Sequence, residues 1–498
     1  MASDDRPTIN GVQFAAVDGQ RSSQAAGRAV FADSVREVDE SVADRVMHVK
    51  DWRKGYMGPV RDIVKTGARS AKDALRIAAD GLASVKRNLT FVGDGVGVQL
   101  DEAIATPSEP AFETVEIEGR GAGSRELEVP YRGRMLRGDD LLRQLDGWVG
   151  AGVMETSCAE ALRSVVANPA WLDMSDQRFV LLGAASEMGP FIPLSNWRAQ
   201  IVAVDLPRRS LWEQILQTGR AGSGRLSVPT SPTSTSAEVV DSAGADLMVD
   251  APRVRAWLDT FDGPLILGNY VYADGANFVR LAAIVDALVQ DTLQKRSDVT
   301  SAYLATPTDV FAVPQDVVDD AVGGAKRRPH HGLLKGLTAS RLYMPNYSES
   351  VEGEGRRWGL ADGLVPIQGA NYALAKSIQR WRAVLAREEG HASSANVAPA
   401  SHTRSVTKNK MLAAAYRGAP RFGVEIFAAE TTRVLMAALL VHDIRSPQAA
   451  ARPQTSIDHP YDLFVQGALH GGMWRLPYEP RSILPLALVT GSLPGSKR

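Results

Sequence analysis

Arg178-Phe-Val-Leu-Leu-Gly-Ala-Ala-Ser-Glu-Met-Gly189, followed shortly by Gln200-Ile-Val-Ala-Val-Asp205, is the stretch from which the fold is read. Phe179 to Leu182 is a short apolar run ending in glycine, the profile of a strand buried on both faces. Gly183 to Gly189 reads as a tight turn of small residues. Pro190 to Arg198 can then run as a helix with Trp197 on its apolar side. Ile201 to Val204 is a second apolar run, closed by Asp205, which lies 22 positions after Gly183. A nucleotide-binding βαβ unit places its acid about 20 residues on, where it meets a ribose, while the helix N-terminus meets a pyrophosphate. Glu187 occupies the position of the expected middle glycine, and a carboxylate beside a pyrophosphate is unfavourable unless it points away. The rival readings are a methyl donor held by the acid, or a purely structural turn.

Composition bounds the rest. At 498 residues the chain suggests several units of about 150 residues each. A hydrophobic content of 44% with 23% charged residues is that of a soluble globular protein. The formal charge of −1 leaves no global basic field, so no nucleic-acid partner is expected. A single cysteine, Cys158, excludes an internal disulfide framework and a cysteine-rich zinc site. The polar, acidic start is unlike a secretory signal, and Val434 to Val441 is far short of the about 20 residues a membrane span needs. A cytoplasmic protein without an integral membrane segment is the expectation, with homo-oligomerisation left open.

In chain order, residues 1–35 read as a loose arm and 36–170 as an accessory domain of helices plus a β-hairpin. Ser34 to Lys86 is helical in pattern, and Gly93 to Gly97 reads as a plain turn because no lysine follows it. Phe112 to Ile117 and Glu126 to Val129 alternate apolar and polar residues around a glycine cluster, which predicts the hairpin. Asp139 to Trp148 and Cys158 to Val166 read as helices, and Cys158 as a buried thiol. Gly222 to Ser236, within an insertion at about 220–244, reads as an exposed linker rich in serine, threonine and proline. Ala245 to Val249 is expected as a strand ending at Asp250, Leu265 to Gly268 as the next, then a helix from Ala276 to about Lys295 and a strand at Ala302 to Ala305. Strands alternating with helices at this spacing predict an α/β fold with a doubly wound, parallel, Rossmann-like sheet over 171–410. A second insertion spans about 315–366, and 411–498 forms a helical and irregular C-terminal extension.

Gly369-Ala-Asn-Tyr372-Ala-Leu-Ala-Lys376 puts a phenol and an amine four residues apart on one helical face. A lysine ammonium beside a tyrosine favours the phenolate, so the pair can move a proton to or from a substrate hydroxyl. With Pro399 followed four positions on by Thr403, the segment resembles the Tyr-x-x-x-Lys site and following loop of the short-chain dehydrogenase/reductase superfamily.

That resemblance implies an NAD(P)-dependent oxidoreductase moving a hydride to or from a carbonyl or hydroxyl of a bulky small-molecule substrate. It implies Tyr372 as acid/base, Lys376 as its partner and ribose ligand, and Thr308 or Thr306 as the hydroxyl that polarises the substrate oxygen. Cofactor contacts would come from Gly183, Ala185, Ser186, Met188 and Gly189 of the turn, from Asp205 at the ribose and Asp250 at the adenine. Asn269 would follow strand four, and Pro399 and Thr403 would hold the nicotinamide amide. Asp205 favours NAD, whereas Arg208 and Arg209 could instead receive the 2′-phosphate of NADP. The 64 positions from Thr308 to Tyr372 are far more than in compact members, and leave Ser348 as a further hydroxyl candidate. Lys326-Arg-Arg-Pro-His-His331 reads as a solvated loop without metal-ligand spacing. His470 to Tyr478 could line a substrate pocket or simply pack in the core. The alternative from another class is a non-catalytic, dinucleotide-sensing or scaffolding protein on the same fold.

Overall fold

The computed structural model describes residues 10–17, 19–93, 95–106, 112–231, 238–326 and 342–493. Seven strands make the central sheet: β1 (Glu113–Glu118), β2 (Arg178–Leu182), β3 (Gln200–Val204), β4 (Arg225–Thr230), β5 (Leu265–Asn269), β6 (Val299–Ala305) and β7 (Ser393–Val397). They lie in the order β7-β6-β5-β2-β3-β4-β1. The strands β2 to β7 are parallel, and β1 runs antiparallel to β4 at the edge. Gln200 pairs with Arg178 and Val204 with Leu182, while Asn269 pairs with Leu182 from the other side. The C-terminal ends of β2, β3 and β5 are therefore level.

The helices that flank the sheet and position the site are α1 (Ser23–Arg36), α2 (Ala71–Asn88), α3 (Thr156–Ala167), α4 (Phe191–Asn196), α5 (Arg209–Ala221), α6 (Leu247–Leu258), α7 (Ala276–Lys295), α8 (Ala370–Glu388) and α9 (Ala429–Arg445). Because successive strand side chains point to opposite faces, the sheet feeds two cores. Val180, Leu182, Val202 and Leu267 join α1, α2, α6, α7 and α8 in one. Phe179, Leu181, Ile201 and Ile266 join α3, α5 and α9 in the other. Each such side chain contributes about 2 kcal/mol on burial.

Several expectations are corrected. The predicted linker contains β4, whose Leu226 and Val228 are buried. Its polar residues mislead because they have partners: Ser227 Oγ donates to Glu116 Oε1 at 2.8 Å, and Thr230 Oγ1 to Glu113 O at 3.2 Å. The rest of the serine–threonine run, 232–236, lies outside the described residues. Residues 245–249 form no strand. Asp246 caps α6 by accepting from the Met248 amide, and Asp250 sits in the first turn of that helix. No hairpin joins 112–117 to 126–129; the first becomes β1, and Val129–Tyr131 pairs with Arg134–Leu136. The expected arm is structured from residue 10, with Gly11–Phe14 in a strand and α1 half buried.

The N-terminal stretch packs directly on the sheet's helices. Phe31 meets Trp381 edge-on at 6.1 Å, and a Cβ on Gly81 would stand 2.6 Å from the Trp381 ring. The second insertion opens with a helix, Gln315–Lys326, and its strands Arg356–Asp362 and Ser350–Gly353 form an antiparallel sheet with Val310–Pro314, which precedes it. The basic cluster at 327–331 and Arg341 lie outside the described residues. Trp474 and Tyr478 are core residues, Trp474 stacked on His470 at 4.8 Å. Cys158 is buried, which pushes its thiol up. No helix among the described residues is long and apolar enough to cross a membrane.

α7 and α8 are joined by a buried ion pair, Arg382 to Asp286 at 2.7 and 3.1 Å, each side chain 4% exposed. Asp286→Ala leaves the guanidinium buried, with Gln290 as its remaining hydrogen-bond partner among the described residues. Urea unfolding is expected to show a loss of about 3–5 kcal/mol, with much of it recovered in Asp286→Leu/Arg382→Met.

Candidate active site

The chain leaves β2 for β3 on one side and later returns to β5 on the other. Loops that diverge in this way at the C-terminal ends of parallel strands leave a place for a ligand. The β2 loop starts with Gly183 at φ +82, where a Cβ would lie 2.9 Å from Tyr270 O. Glycine is required there both for the backbone angle and for the close approach. The amides of Gly183 and Ala184 donate to Val204 O at 2.9 and 3.2 Å, and Gly189 N to Ser186 O at 3.1 Å. Met188 is half buried against the second core. The turn leads into α4, which has only six residues, shorter than the expected helix, and Arg198 beyond it adopts φ +66.

Asp205 braces this turn. Its Oδ2 accepts from Ala185 N and its Oδ1 from Leu206 N, both at 2.8 Å. Burial pushes its carboxyl up, opposed by those two amides and by the Arg208 charge. Arg208 is exposed, whereas Arg209 is committed to Glu213, Glu238 and Asp241. Glu187 points away from the turn: its Oε2 accepts from Arg404 N at 2.7 Å, and Oε1 lies 3.3 Å from Arg404 Nε. Arg433 Nε adds a bond to Glu187 O at 2.8 Å. The tip of the turn is thus tied to the residue after Thr403. Pro399 O accepts from Ser401 Oγ, and Thr403 precedes the short helix Arg404–Lys408. Asp250 is elsewhere engaged, with Asp246 N at 3.0 Å and Arg253 at 2.7 Å. Its expected place at the end of a strand is corrected, because that strand is a helix.

The other half of the site converges on α8. Tyr372 and Lys376 share a face against Phe278 of α7, whose ring lies 5.7 Å from the Tyr372 ring and 5.9 Å from Lys376 Nζ. The Thr306 hydroxyl is near enough to the Tyr372 phenol to oppose the rise in its pKa, and Thr306 Oγ1 and Thr308 Oγ1 are 2.8 Å apart. Gln368 Nε2 donates to Thr308 Oγ1 at 2.5 Å. Thr306 is therefore the hydroxyl at the phenol, while Ser348 is exposed next to Glu349, the partner of Lys65. Lys376 Nζ donates to Leu304 O and to Gln379 Oε1, both at 3.0 Å. Gln379 Nε2 reaches Asn269 Oδ1 at 3.5 Å. Asn269, Gln379, Lys376, Tyr372, Thr306 and Thr308 form one neighbourhood.

Three residues around the site carry little signal in the chain. Gln379 lies three positions after Lys376 on the same helical face, which is the available clue. Asp309, buried beside Thr308, lies 3.3 Å from Arg380 Nε, and Arg404 gains its place only through its partner.

Burial drives the electrostatics. It lowers the Lys376 amine to about 8, partly offset by the Asp309 charge. Burial also pushes the Tyr372 phenol up, with Tyr416 adding to the rise and Thr306 opposing it. The four-residue spacing predicts a Lys376 that favours the phenolate. Instead its hydrogen bonds go to Leu304 and Gln379, and the phenol is held in its neutral form.

No family model, curated protein or solved structure matches the chain.

An amine lowered by burial binds its proton less tightly in the folded chain than in the unfolded one. The stability deficit it causes is present below about 8 and relieved as pH rises from there toward 10.5. Wild type is therefore expected to gain stability relative to Lys376→Met across that window. Pulse labelling with an amine reagent is expected to give a Lys376 midpoint near 8, against the range near 10.4 of exposed lysines. A Lys376 midpoint among the surface lysines removes the buried-amine account.

Proposed function

We propose that the chain is an NAD(P)-dependent oxidoreductase of the short-chain dehydrogenase/reductase type, acting on a carbonyl or hydroxyl of a small molecule. The observation that carries this reading is the meeting of Thr306, Tyr372 and Lys376 beside the C-terminal ends of β5 and β6, in a sheet whose parallel strands run in the order 3-2-1-4-5-6 when counted from β2. That order is the one of a Rossmann-like, doubly wound dinucleotide fold.

The residues present suit a dinucleotide. Gly183 brings the backbone of the turn close, Glu187 is neutralised by Arg404 rather than aimed at a phosphate, and Asp205 stands at the end of β3. Ala185, Ser186, Met188 and Gly189 would hold the pyrophosphate side, and Asn269, Pro399 and Thr403 the nicotinamide side. Arg209 is committed to three carboxylates, which leaves Arg208 as the candidate for a 2′-phosphate, while Asp205 at the end of β3 favours NAD. The nicotinamide supplies or takes the hydride when bound.

The chain's own groups handle the proton. Thr306 orients the phenol and polarises the substrate oxygen. Tyr372, kept neutral by burial, is in the form that gives a proton to a developing alkoxide, so reduction of a carbonyl is the direction it favours. Lys376, near 8, can gain or lose a proton close to neutral pH, and the Leu304 carbonyl and the Gln379 amide oxygen hold its ammonium in place.

A second reading, a non-catalytic dinucleotide sensor or scaffold, is favoured by two features. Asp205 already gives both oxygens to the backbone, and Glu187 fastens the turn to Arg404.

Titration with NADH and NADPH, followed by tryptophan fluorescence and thermal shift, separates the two. Binding of NADH, weakened in Asp205→Ala, is the expected outcome, and absence of any shift with either nucleotide favours the scaffold. Tyr372→Phe is expected to keep the nucleotide affinity while turnover of a carbonyl substrate falls about 10²–10⁴-fold. Unchanged turnover in that variant takes the phenol out of the mechanism.

A further inference from the structure

Away from this site, a cavity of about 270 Å³ lies between β7, α3, α9 and the segments 446–451 and 463–467. That volume is room for about nine waters, or for a small organic molecule. Its wall is built from buried polar groups. Asn396, 5% exposed, donates Nδ2 to Ser394 Oγ at 3.1 Å and to Asp443 Oδ2 at 2.8 Å. Ser394 Oγ donates to the same carboxylate oxygen at 2.7 Å.

These bonds fix two acceptors and leave them underused. Asn396 Oδ1 accepts no hydrogen bond from the described residues, and Asp443 Oδ1 has only the His442 ring, at 3.5 Å. Position 467 accommodates the amide because it is glycine. Its φ is +80, and a Cβ there would stand 2.5 Å from Asn396 Oδ1. The Gly467 amide in turn donates to Ser157 Oγ at 3.3 Å.

The charge of the lining is one-sided. Asp443 and Glu160 are its carboxylates, His442 is its one basic side chain, and it contains neither lysine nor arginine. Asp443 is 13% exposed and has no arginine or lysine partner among the described residues. A carboxylate in such a recess calls for a positive partner, and acceptors without donors call for a group that only donates. A primary ammonium meets both demands with three donors and no acceptor. The described residues contain no group of three or more His, Cys, Asp or Glu side chains able to hold a metal ion, so an organic cation is the better match.

We propose that this cavity binds a small organic cation bearing a primary ammonium group, held by Asp443 and Asn396 Oδ1, with Glu160 adding negative charge to the lining. The site is independent of the dinucleotide reading. It uses none of the residues assigned to hydride or proton transfer.

Calorimetry and thermal shift on the full chain test it, with putrescine as probe and 1,4-butanediol as the uncharged control of equal length. Putrescine is expected to bind at least about tenfold more tightly than the diol, a difference near 1.4 kcal/mol. Asp443→Asn is expected to remove most of that preference, and Glu160→Gln part of it. Because Asp443 also anchors Ser394 and Asn396, Ser164→Leu serves as a second variant that crowds the cavity and keeps both carboxylates. It is expected to abolish binding with the fold intact. The proposal is overturned if putrescine gives no heat and no shift at millimolar concentration, or if the diol binds equally well. Binding that survives both Asp443→Asn and Ser164→Leu overturns it as well.

Discussion

Strand β2 is hydrogen-bonded along both edges, to β3 on one side and β5 on the other, and both partners run parallel to it. A strand held in this way has no free backbone edge, and its apolar residues are shared between two cores. The register then dictates the geometry above it. Leu182, Val204 and Asn269 end level, so the next residues, Gly183, Asp205 and Tyr270, are brought together whatever the loops do. Gly183 must turn within that space, against the Tyr270 carbonyl, and only a residue without a Cβ can do so at φ +82.

The second constraint is the burial of α8 between the sheet and the N-terminal helices. Trp381 takes the pressure of Gly81 and Phe31 on one side, while Arg382 is fixed to Asp286 on another. Helix rotation is thereby settled, and with it the direction of Tyr372, Lys376 and Gln379. An amine and a phenol in this setting both resist charge. The amine keeps a usable proton affinity near 8 because the Asp309 carboxylate offsets desolvation, whereas for the phenol the same carboxylate adds to desolvation and favours the neutral form.

The turn after β2 is tied to the loop after β7 by charge. Glu187 departs from the glycine that the resemblance leads one to expect, yet its carboxylate is satisfied by the Arg404 amide and guanidinium. A residue hostile to an anion in the sequence becomes a fastener between two loops. Asp205, which the sequence leads one to expect at a ribose, has a local duty in holding the Ala185 amide.

What the chain determined by itself were features with short-range causes. Apolar runs ending in glycine or an acid marked β2, β3 and β5, and the short apolar run Ala302 to Ala305 marked β6. The four-residue spacing placed Tyr372 above Lys376, and the periodicity located α7 and the helical character of Ser34 to Lys86. What only tertiary structure decided were features whose cause lies far along the sequence. β4 is rich in serine and threonine and looks like a linker until Glu116 and Glu113 on β1 supply its partners. Residues 245–249 look like a strand until the Asp246 cap starts a helix. Gln379, Asp309 and Arg404 gain meaning only from what they touch, and desolvation of Tyr372 depends on how much protein closes over it. Period and spacing are local properties, whereas burial and hydrogen-bond partnership belong to the whole packed chain.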